Sequence, residues 1–158
     1  PFLGESRVVV PSPKVKTFDE TPKMSLPEVM GNLTTAIEHD NYDLIVLNVA
    51  NGDQVGHSGS FEACVEAVEY IDECVSNMLT SLEKVEGEMI IIADHGNCEG
   101  MVSEDGGVST SHTLYPVPFI YKGRSGFVAK NGTLADVAPT VLSLMNLTKP
   151  AEMTGNVL

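Results

Sequence analysis

The stretch that decides the fold is DLIVLNVA, at residues 43–50. It is almost continuously apolar and has the length of a strand, which is typical of a strand buried on both faces of a parallel sheet. A second run of this kind, MIIIA at residues 89–93, also ends in a polar loop. Both loops therefore lie at the carboxyl ends of predicted strands, where open α/β sheets bind their ligands.

Amphipathic helices are predicted around these strands. Ser25 with Glu28 has the pattern of a capping box, which begins a helix over residues 25–39. Apolar residues recur every three or four positions over residues 61–82 and predict a long helix, whose opposite face is rich in glutamate. A last helix is predicted over residues 133–145.

The remaining segments complete an α/β pattern. Residues 7–10 are a short predicted strand, and residues 116–121 are another, at or near a sheet edge because it contains prolines. Residues 51–60 and 96–111 are predicted polar loops. The alternation predicts an α/β fold with a mainly parallel sheet flanked by helices. We find no domain boundary, so residues 1–158 are interpreted as one unit.

Composition and charge exclude several classes of function. The chain has 9 Lys and Arg against 22 Asp and Glu, a formal net charge of −13 that repels the phosphates of nucleic acids. No apolar run approaches the roughly 20 residues of a membrane-spanning helix. The chain has 3 cysteines and no CxxC pair, which favours a reducing cytoplasm over a disulfide framework. The first residues have neither a signal-peptide pattern nor an initiator Met, so we expect that the chain is a fragment.

Three motifs hold residues that could bind metal. NGDQVGHSG at 51–59 contains Asp53 and His57 four residues apart, ADHGN at 93–97 contains Asp94 and His95, and STSHT at 109–113 contains His112. Each motif alone is also what an ordinary polar turn contains. Together, carboxylates and imidazoles at strand ends suit one or two divalent transition ions, Mn²⁺ or Zn²⁺ better than Mg²⁺.

The set is incomplete for a two-metal site. Two ions with about four protein ligands each need more than the five side chains named above. No serine of the polar loops is supported as a nucleophile, so we expect the missing parts to lie outside this chain. The serines considered are Ser58, Ser60, Ser109 and Ser111. His39, at the end of a predicted helix, is interpreted as a partner of the helix dipole. Cys98 is interpreted as a passive neighbour of the second motif.

At these motifs the sequence resembles the cofactor-independent (2,3-bisphosphoglycerate-independent) phosphoglycerate mutases of the alkaline phosphatase superfamily. The resemblance runs in order along nearly the whole chain. The stretches that carry it are PSPKVKTFDETPKMS at 11–25, YDLIVLNVANGDQVGHSG at 42–59, IIIADHGNCEGM at 90–101, TSHTLYPVPFIY at 110–121 and LADVAPTVLSLMNL at 134–147. Departures from the family pattern include Gly52 and Lys16, and neither of them removes a ligand.

The resemblance implies a phosphatase-like domain that binds two Mn²⁺ ions, with Zn²⁺, Co²⁺ or Mg²⁺ as alternatives. It implies that 3-phosphoglycerate and 2-phosphoglycerate are interconverted through a phosphoserine. Asp53, His57 and His112 match the ligands of one metal, and Asp94 and His95 match those of the other. The family's nucleophilic serine and its substrate-binding arginines precede the matched region. The chain is then the C-terminal part of the domain, an incomplete alkaline-phosphatase-like fold, predicted to be inactive alone.

Two alternatives stay open at this level. The first is a phosphopentomutase or metal-dependent phosphomonoesterase of the same superfamily, since these enzymes share the Asp-His-Gly signature. The second is a non-catalytic module that binds metal or a partner. In the leading interpretation the partner is a small phosphorylated substrate in the cytoplasm, neither nucleic acid nor a membrane. The isolated chain is also expected to self-associate through an exposed sheet edge.

Overall fold

The computed structural model describes residues 2–39, 42–103, 105–126 and 129–158. Within these ranges the chain forms helices α1 to α4, strands β1 and β2, and three short 3₁₀ turns. The helices are Leu26–His39, Asn51–Gly56, Phe61–Lys84 and Val137–Leu144, the strands are Met89–Ile92 and Phe119–Lys122, and the turns are Phe18–Glu20, Cys98–Gly100 and Leu134–Asp136.

Local signals explain where α3 and the turn before α4 begin. Ser60 caps α3, and its hydroxyl accepts a hydrogen bond from the backbone N–H of Ala63. The capping box of Thr133 and Asp136 is formed, although it begins a 3₁₀ turn that leads into α4. The helices predicted over 25–39, 61–82 and 133–145 are confirmed to within a few residues.

The core lies along α3 in two clusters. In the first, Leu26 and Leu33 of α1 pack with Cys74 and Met78 of α3. In the second, α2 and Met101 pack on the amino-terminal half of α3, and Val55 of α2 is fully buried there. The predicted apolar face of α3 is confirmed only in part. Cys64 and Met78 are buried as the periodicity predicts, whereas Phe61, Val65 and Val68 are exposed. The second cluster holds α2, and therefore Asp53, in place.

The sheet is different from the one predicted. β1 and β2 pair antiparallel, with Met89 opposite Lys122 and Ile92 opposite Phe119. Among the described residues this two-stranded pair is the whole sheet, so the mainly parallel sheet is not confirmed. The strand predicted over 89–93 is confirmed, and the one predicted near 116–121 begins and ends slightly later.

Two further predicted strands do not form in the described part of the chain. Residues 43–50 and 7–10 have no ladder partner there. Val46 is 86% exposed and Val9 is 84% exposed, so the prediction that residues 43–50 are buried on both faces is wrong for this structure. The physical reason is that a strand is defined by hydrogen bonds to a neighbour, which an apolar run cannot supply by itself.

The polar loops carry more structure than predicted. The loop predicted over 51–60 contains the helix α2, a correction that changes how Asp53 and His57 face each other. The predicted loop over 96–111 is held by isolated bridges between Gly96 and Thr113 and between Val102 and Val108. Of the helices in the described ranges, none is long and apolar enough to cross a membrane.

Candidate metal centre

The first pair of site residues comes from one short helix. Asp53 lies in α2, and His57, four residues further along the chain, directly follows the end of this helix. One helical turn brings such positions onto the same face. The Oδ1 atom of Asp53 is 3.1 Å from Nε2 of His57. The sequence spacing predicted this proximity, and the helix supplies the geometry.

His112 reaches the same point from a distant loop. Its Nε2 atom is 3.0 Å from Oδ1 of Asp53 and 3.2 Å from Nε2 of His57. The loop is fixed because the backbone N–H of Thr113 donates a 2.8 Å hydrogen bond to the carbonyl of Gly96. Three potential ligand atoms, two from one helical turn and one from a distant loop, thus converge on one point.

The two proposed ligands of the second motif, Asp94 and His95, lie in different surroundings. His95 stacks on His112 with 3.6 Å between ring centroids, and each of Asp53, His95 and His112 offers a ligand atom within 4.8 Å of the others. The side chain of Asp94 is 83% exposed, and its Oδ2 atom is 3.7 Å from Nε2 of His95. Four of the five predicted ligands therefore gather, while Asp94 lies at the margin and faces solvent.

The hydrogen bond of His57 determines which nitrogen faces the cluster. Its Nδ1 atom is 2.7 Å from the carbonyl oxygen of Thr110. A carbonyl only accepts, so Nδ1 carries a proton, and in the neutral ring Nε2 then presents a lone pair. This lone pair faces the carboxylate of Asp53, which also only accepts. Two acceptors at this distance repel each other unless a proton or a cation lies between them.

The environment of Asp53 favours its ionised form. Partial burial raises the pKa of Asp53, but a hydrogen bond from Asn97 and the nearby rings of His57 and His112 outweigh it and lower the pKa below its ordinary value. Gln54 donates to the other carboxylate oxygen at 3.0 Å. The carboxylate is therefore charged and oriented near neutral pH, as a metal ligand must be.

The spacing of the donor atoms fits a divalent ion. Ligand atoms about 2.0–2.2 Å from an ion lie about 2.8–3.1 Å apart at neighbouring octahedral positions and about 3.3–3.6 Å apart in a tetrahedron. The three distances between Asp53, His57 and His112 are 3.0, 3.1 and 3.2 Å. One carboxylate with two or three imidazoles is a donor set that suits Zn²⁺, Mn²⁺ or Co²⁺ better than Mg²⁺.

Sequence reasoning missed the residues that support this cluster. Asn97 donates to Asp53, and Glu99 accepts from the hydroxyl of Thr113 and from the backbone N–H of Asn97. Asn97 and Glu99 lie within or next to a motif already singled out, so an amide close to a ligand was an available signal. The carbonyl of Thr110 has no side-chain signature, and only the structure shows its role.

Comparison with known proteins adds to the geometry. The sequence pattern described as the Metalloenzyme superfamily matches residues 1–149. The chain belongs to the Metalloenzyme superfamily. This membership agrees with a cluster of imidazole and carboxylate donors at the carboxyl end of α2 and in the loops that face it.

Individual members of the superfamily are closely similar to this chain. It is 57% identical over 157 residues to a 2,3-bisphosphoglycerate-independent phosphoglycerate mutase of Pseudomonas fluorescens. It is 54% identical over 158 residues to the protein of the same name from Pseudomonas syringae pv. tomato. The match covers 98–99% of this chain and 31% of each relative, so the chain spans about a third of their length.

A solved structure shows the same fold. A crystal structure of Leishmania mexicana phosphoglycerate mutase, determined at low cobalt concentration, superposes with a TM-score of 0.81 at 30% sequence identity. The superposition covers 94% of this chain and 30% of that one. The described fold is thus similar to that of part of a phosphoglycerate mutase, and that mutase was studied with cobalt.

Proposed function

We propose that this chain forms part of the metal-binding domain of a phosphoglycerate mutase that interconverts 3-phosphoglycerate and 2-phosphoglycerate. The observation that carries the proposal is the convergence of Asp53, His57 and His112 on one point, with distances of 3.0–3.2 Å between their ligand atoms. The identity of 54–57% to proteins of that name supports the substrate. We propose that the reaction passes through a phosphoserine.

The proposed centre uses two divalent ions, which we assign as Mn²⁺, with Zn²⁺, Co²⁺ or Mg²⁺ as alternatives. Asp53, His57 and His112 would hold one ion. His95 would hold the second together with Asp94, whose exposed carboxylate can rotate toward it. Because the chain spans 31% of the length of its relatives, we assign the nucleophilic serine and the remaining ligands to the part of the protein outside these residues.

In this mechanism the chain's own residues bind the ions and orient the ligand atoms. Divalent ions, when bound, supply positive charge that stabilises a phosphoryl group during transfer. His57 keeps its lone pair toward the site through its hydrogen bond to Thr110. A cavity of about 210 Å³ borders His57 and is lined by Lys16, Gln54 and Ser58, among others. A lysine beside the cluster suits an anionic substrate and offsets the acidity of the chain.

The proposal extends to fold and location. We propose an alkaline-phosphatase-like domain in which residues 43–50 and 7–10 pair with strands of the rest of the protein. Such pairing would satisfy the backbone groups and apolar side chains that these segments expose here. We also place the protein in the cytoplasm, where Cys64, Cys74 and Cys98, all free thiols, would stay reduced.

Metal analysis by mass spectrometry tests the ligand set. We expect His57→Ala and His112→Ala each to lower the bound metal more than tenfold, because outer partners of ligands alone are worth about 10–100-fold in affinity. His39→Ala is the matched control, since His39 is exposed at the end of α1. An unchanged metal content in the His57 and His112 variants would contradict their assignment as ligands.

An activity assay tests the substrate. We expect the protein at its natural length to convert 3-phosphoglycerate in the presence of Mn²⁺ and to leave ribose 1-phosphate unchanged. Turnover of ribose 1-phosphate instead would favour a phosphopentomutase. Metal binding without turnover of either compound would favour a non-catalytic module.

A further inference from the structure

Asn97 is the side chain that joins the two halves of the candidate metal centre. It follows His95 by two residues and is 6% exposed. Its Nδ2 atom donates to Oδ1 of Asp53 at 2.9 Å and also approaches the backbone carbonyl of Asp53 at 3.2 Å. One amide therefore connects the loop of His95 to the helix α2.

The orientation of this amide follows from its partner. The carboxylate of Asp53 accepts hydrogen bonds only, so the NH₂ group must face it. The carbonyl Oδ1 of Asn97 is then buried and has no hydrogen-bond partner among the described residues. A buried polar atom without a partner costs free energy and calls for an explanation. The explanation is that the NH₂ group of the same amide donates to Asp53, a proposed ligand.

The neighbouring backbone leaves room for this arrangement. A Cβ atom on Gly56 would lie 2.4 Å from Oδ1 and 2.7 Å from Cγ of Asn97, closer than atoms can approach. Gly52, in the same helix, has open space around the equivalent position. Glycine at 56 is thus required by the place of the Asn97 side chain, while glycine at 52 is not.

The backbone of Asn97 is fixed from the other side. Its N–H donates a 2.8 Å hydrogen bond to Oε2 of Glu99, whose Oε1 accepts from the hydroxyl of Thr113. Thr113 directly follows His112. The backbone of Asn97 is therefore linked through Glu99 to the residue that follows His112.

We propose that Asn97 is a positioning residue of the metal centre. It orients the Asp53 oxygen that faces the imidazoles and ties the loop of His95 to α2, in a space that Gly56 keeps open. The inference rests on the proposed binding of a divalent ion but does not depend on the identity of the substrate. Asn97 itself is not a ligand in this proposal.

Cobalt binding to the protein at its natural length tests the proposal. Asn97→Leu keeps the branch at Cγ and removes the donor. We expect it to weaken Co²⁺ affinity about 10–100-fold, as for other hydrogen-bonding partners of metal ligands, and to change the visible absorption spectrum of the bound Co²⁺. The thermal midpoint of the metal-free protein should change little, because the variant also removes a buried acceptor without a partner.

Two glycine variants form a matched pair for the same test. Gly56→Ala should weaken Co²⁺ affinity as Asn97→Leu does, because the new methyl group displaces the amide. Gly52→Ala should leave affinity and spectrum unchanged. If Asn97→Leu does not fold, Asn97→Ser carries the same expectation, since its hydroxyl is too short to reach Asp53.

The outcomes separate this inference from the proposed function. Wild-type affinity and an unchanged cobalt spectrum in the folded Asn97 variant would overturn the role of Asn97. A wild-type protein that binds no Co²⁺ would overturn the metal centre together with this inference. Wild-type protein that binds Co²⁺ and fails to convert 3-phosphoglycerate would overturn the proposed reaction only.

Discussion

At the scale of single residues, hydrogen bonds decide which atoms of the cluster can bind a cation. The Thr110 carbonyl holds the proton of His57 on Nδ1, and Asn97 and Gln54 each hold one oxygen of Asp53. These partners leave the lone pairs of His57 and Asp53 facing one point. Among the described residues no hydrogen bond constrains Asp94 in this way, which agrees with its 83% exposed side chain.

Cys98 lies beside the proposed metal centre and should be chemically inert. Its thiol donates to the carbonyl of Gly52, and burial, reinforced by the neighbouring thiol of Cys64, raises its pKa to about 12. Burial also raises the pKa of Cys64 and Cys74. The thiolate is the reactive form, and a pKa near 12 leaves about one thiol in ten thousand ionised at pH 8.

We therefore predict slow reaction of the folded protein with a thiol reagent such as Ellman's reagent at pH 8. The rate should increase as the pH rises, because a raised pKa keeps the thiol protonated until higher pH. All three cysteines should react rapidly once the chain is unfolded in urea, which is the control. A thiol that reacts rapidly in the folded protein would contradict this assignment.

At the scale of elements, α2 depends on α3. A helix of six residues is far too short to be stable alone, so its stability must come from tertiary packing. Val55 supplies that packing against Ala63 and Ala67 of α3, and it is fully buried. Because Asp53 and His57 flank Val55, the position of these two proposed ligands depends on this contact.

We predict that Val55→Ala lowers the free energy of unfolding by about 1–3 kcal/mol, from two lost methyl groups and the cavity that they leave. Val68→Ala is the matched control, because Val68 is 49% exposed on α3 and its truncation should cost less than about 0.5 kcal/mol. Urea denaturation measures both. Equal midpoints for the two variants would show that α2 is not held by Val55.

At the scale of the whole molecule, an acidic chain exposes unpaired apolar segments. The formal charge of −13 favours solubility, and two divalent ions would reduce it to −9. Val8, Val9, Leu44 and Val46 are all more than half exposed on segments without a ladder partner among the described residues. Unpaired extended backbone with apolar side chains is a template for pairing with another chain.

We predict that the 158-residue chain self-associates as its concentration rises, measured by sedimentation velocity. Val46→Lys should reduce the association, because a charge on the segment opposes pairing. Val102→Lys is the control: it changes the net charge equally, at a valine that is 72% exposed outside these segments. A monomer at every concentration would refute the prediction.

The sequence by itself determined the long helices and the residue types that are proposed to bind metal. Periodicity and caps act within a few residues, so α1 and α3 were predictable from local patterns. The residue types and the spacing of Asp53 and His57 are likewise local, and they suffice to indicate a pair of metal ligands. The local signal failed at residues 51–56, where a polar, glycine-rich stretch forms a helix because Val55 is buried against α3.

Only the tertiary structure decided which distant residues meet. His95 and His112 join Asp53 because the bridge between Gly96 and Thr113 brings their loops together, and no local pattern encodes that contact. The pairing of strands was equally inaccessible, since an apolar run such as residues 43–50 specifies burial but cannot specify a partner. The role of Asn97 follows only from the direction of its amide, which faces Asp53. Local preferences act over a few residues, whereas the proposed metal centre depends on contacts between residues more than forty positions apart.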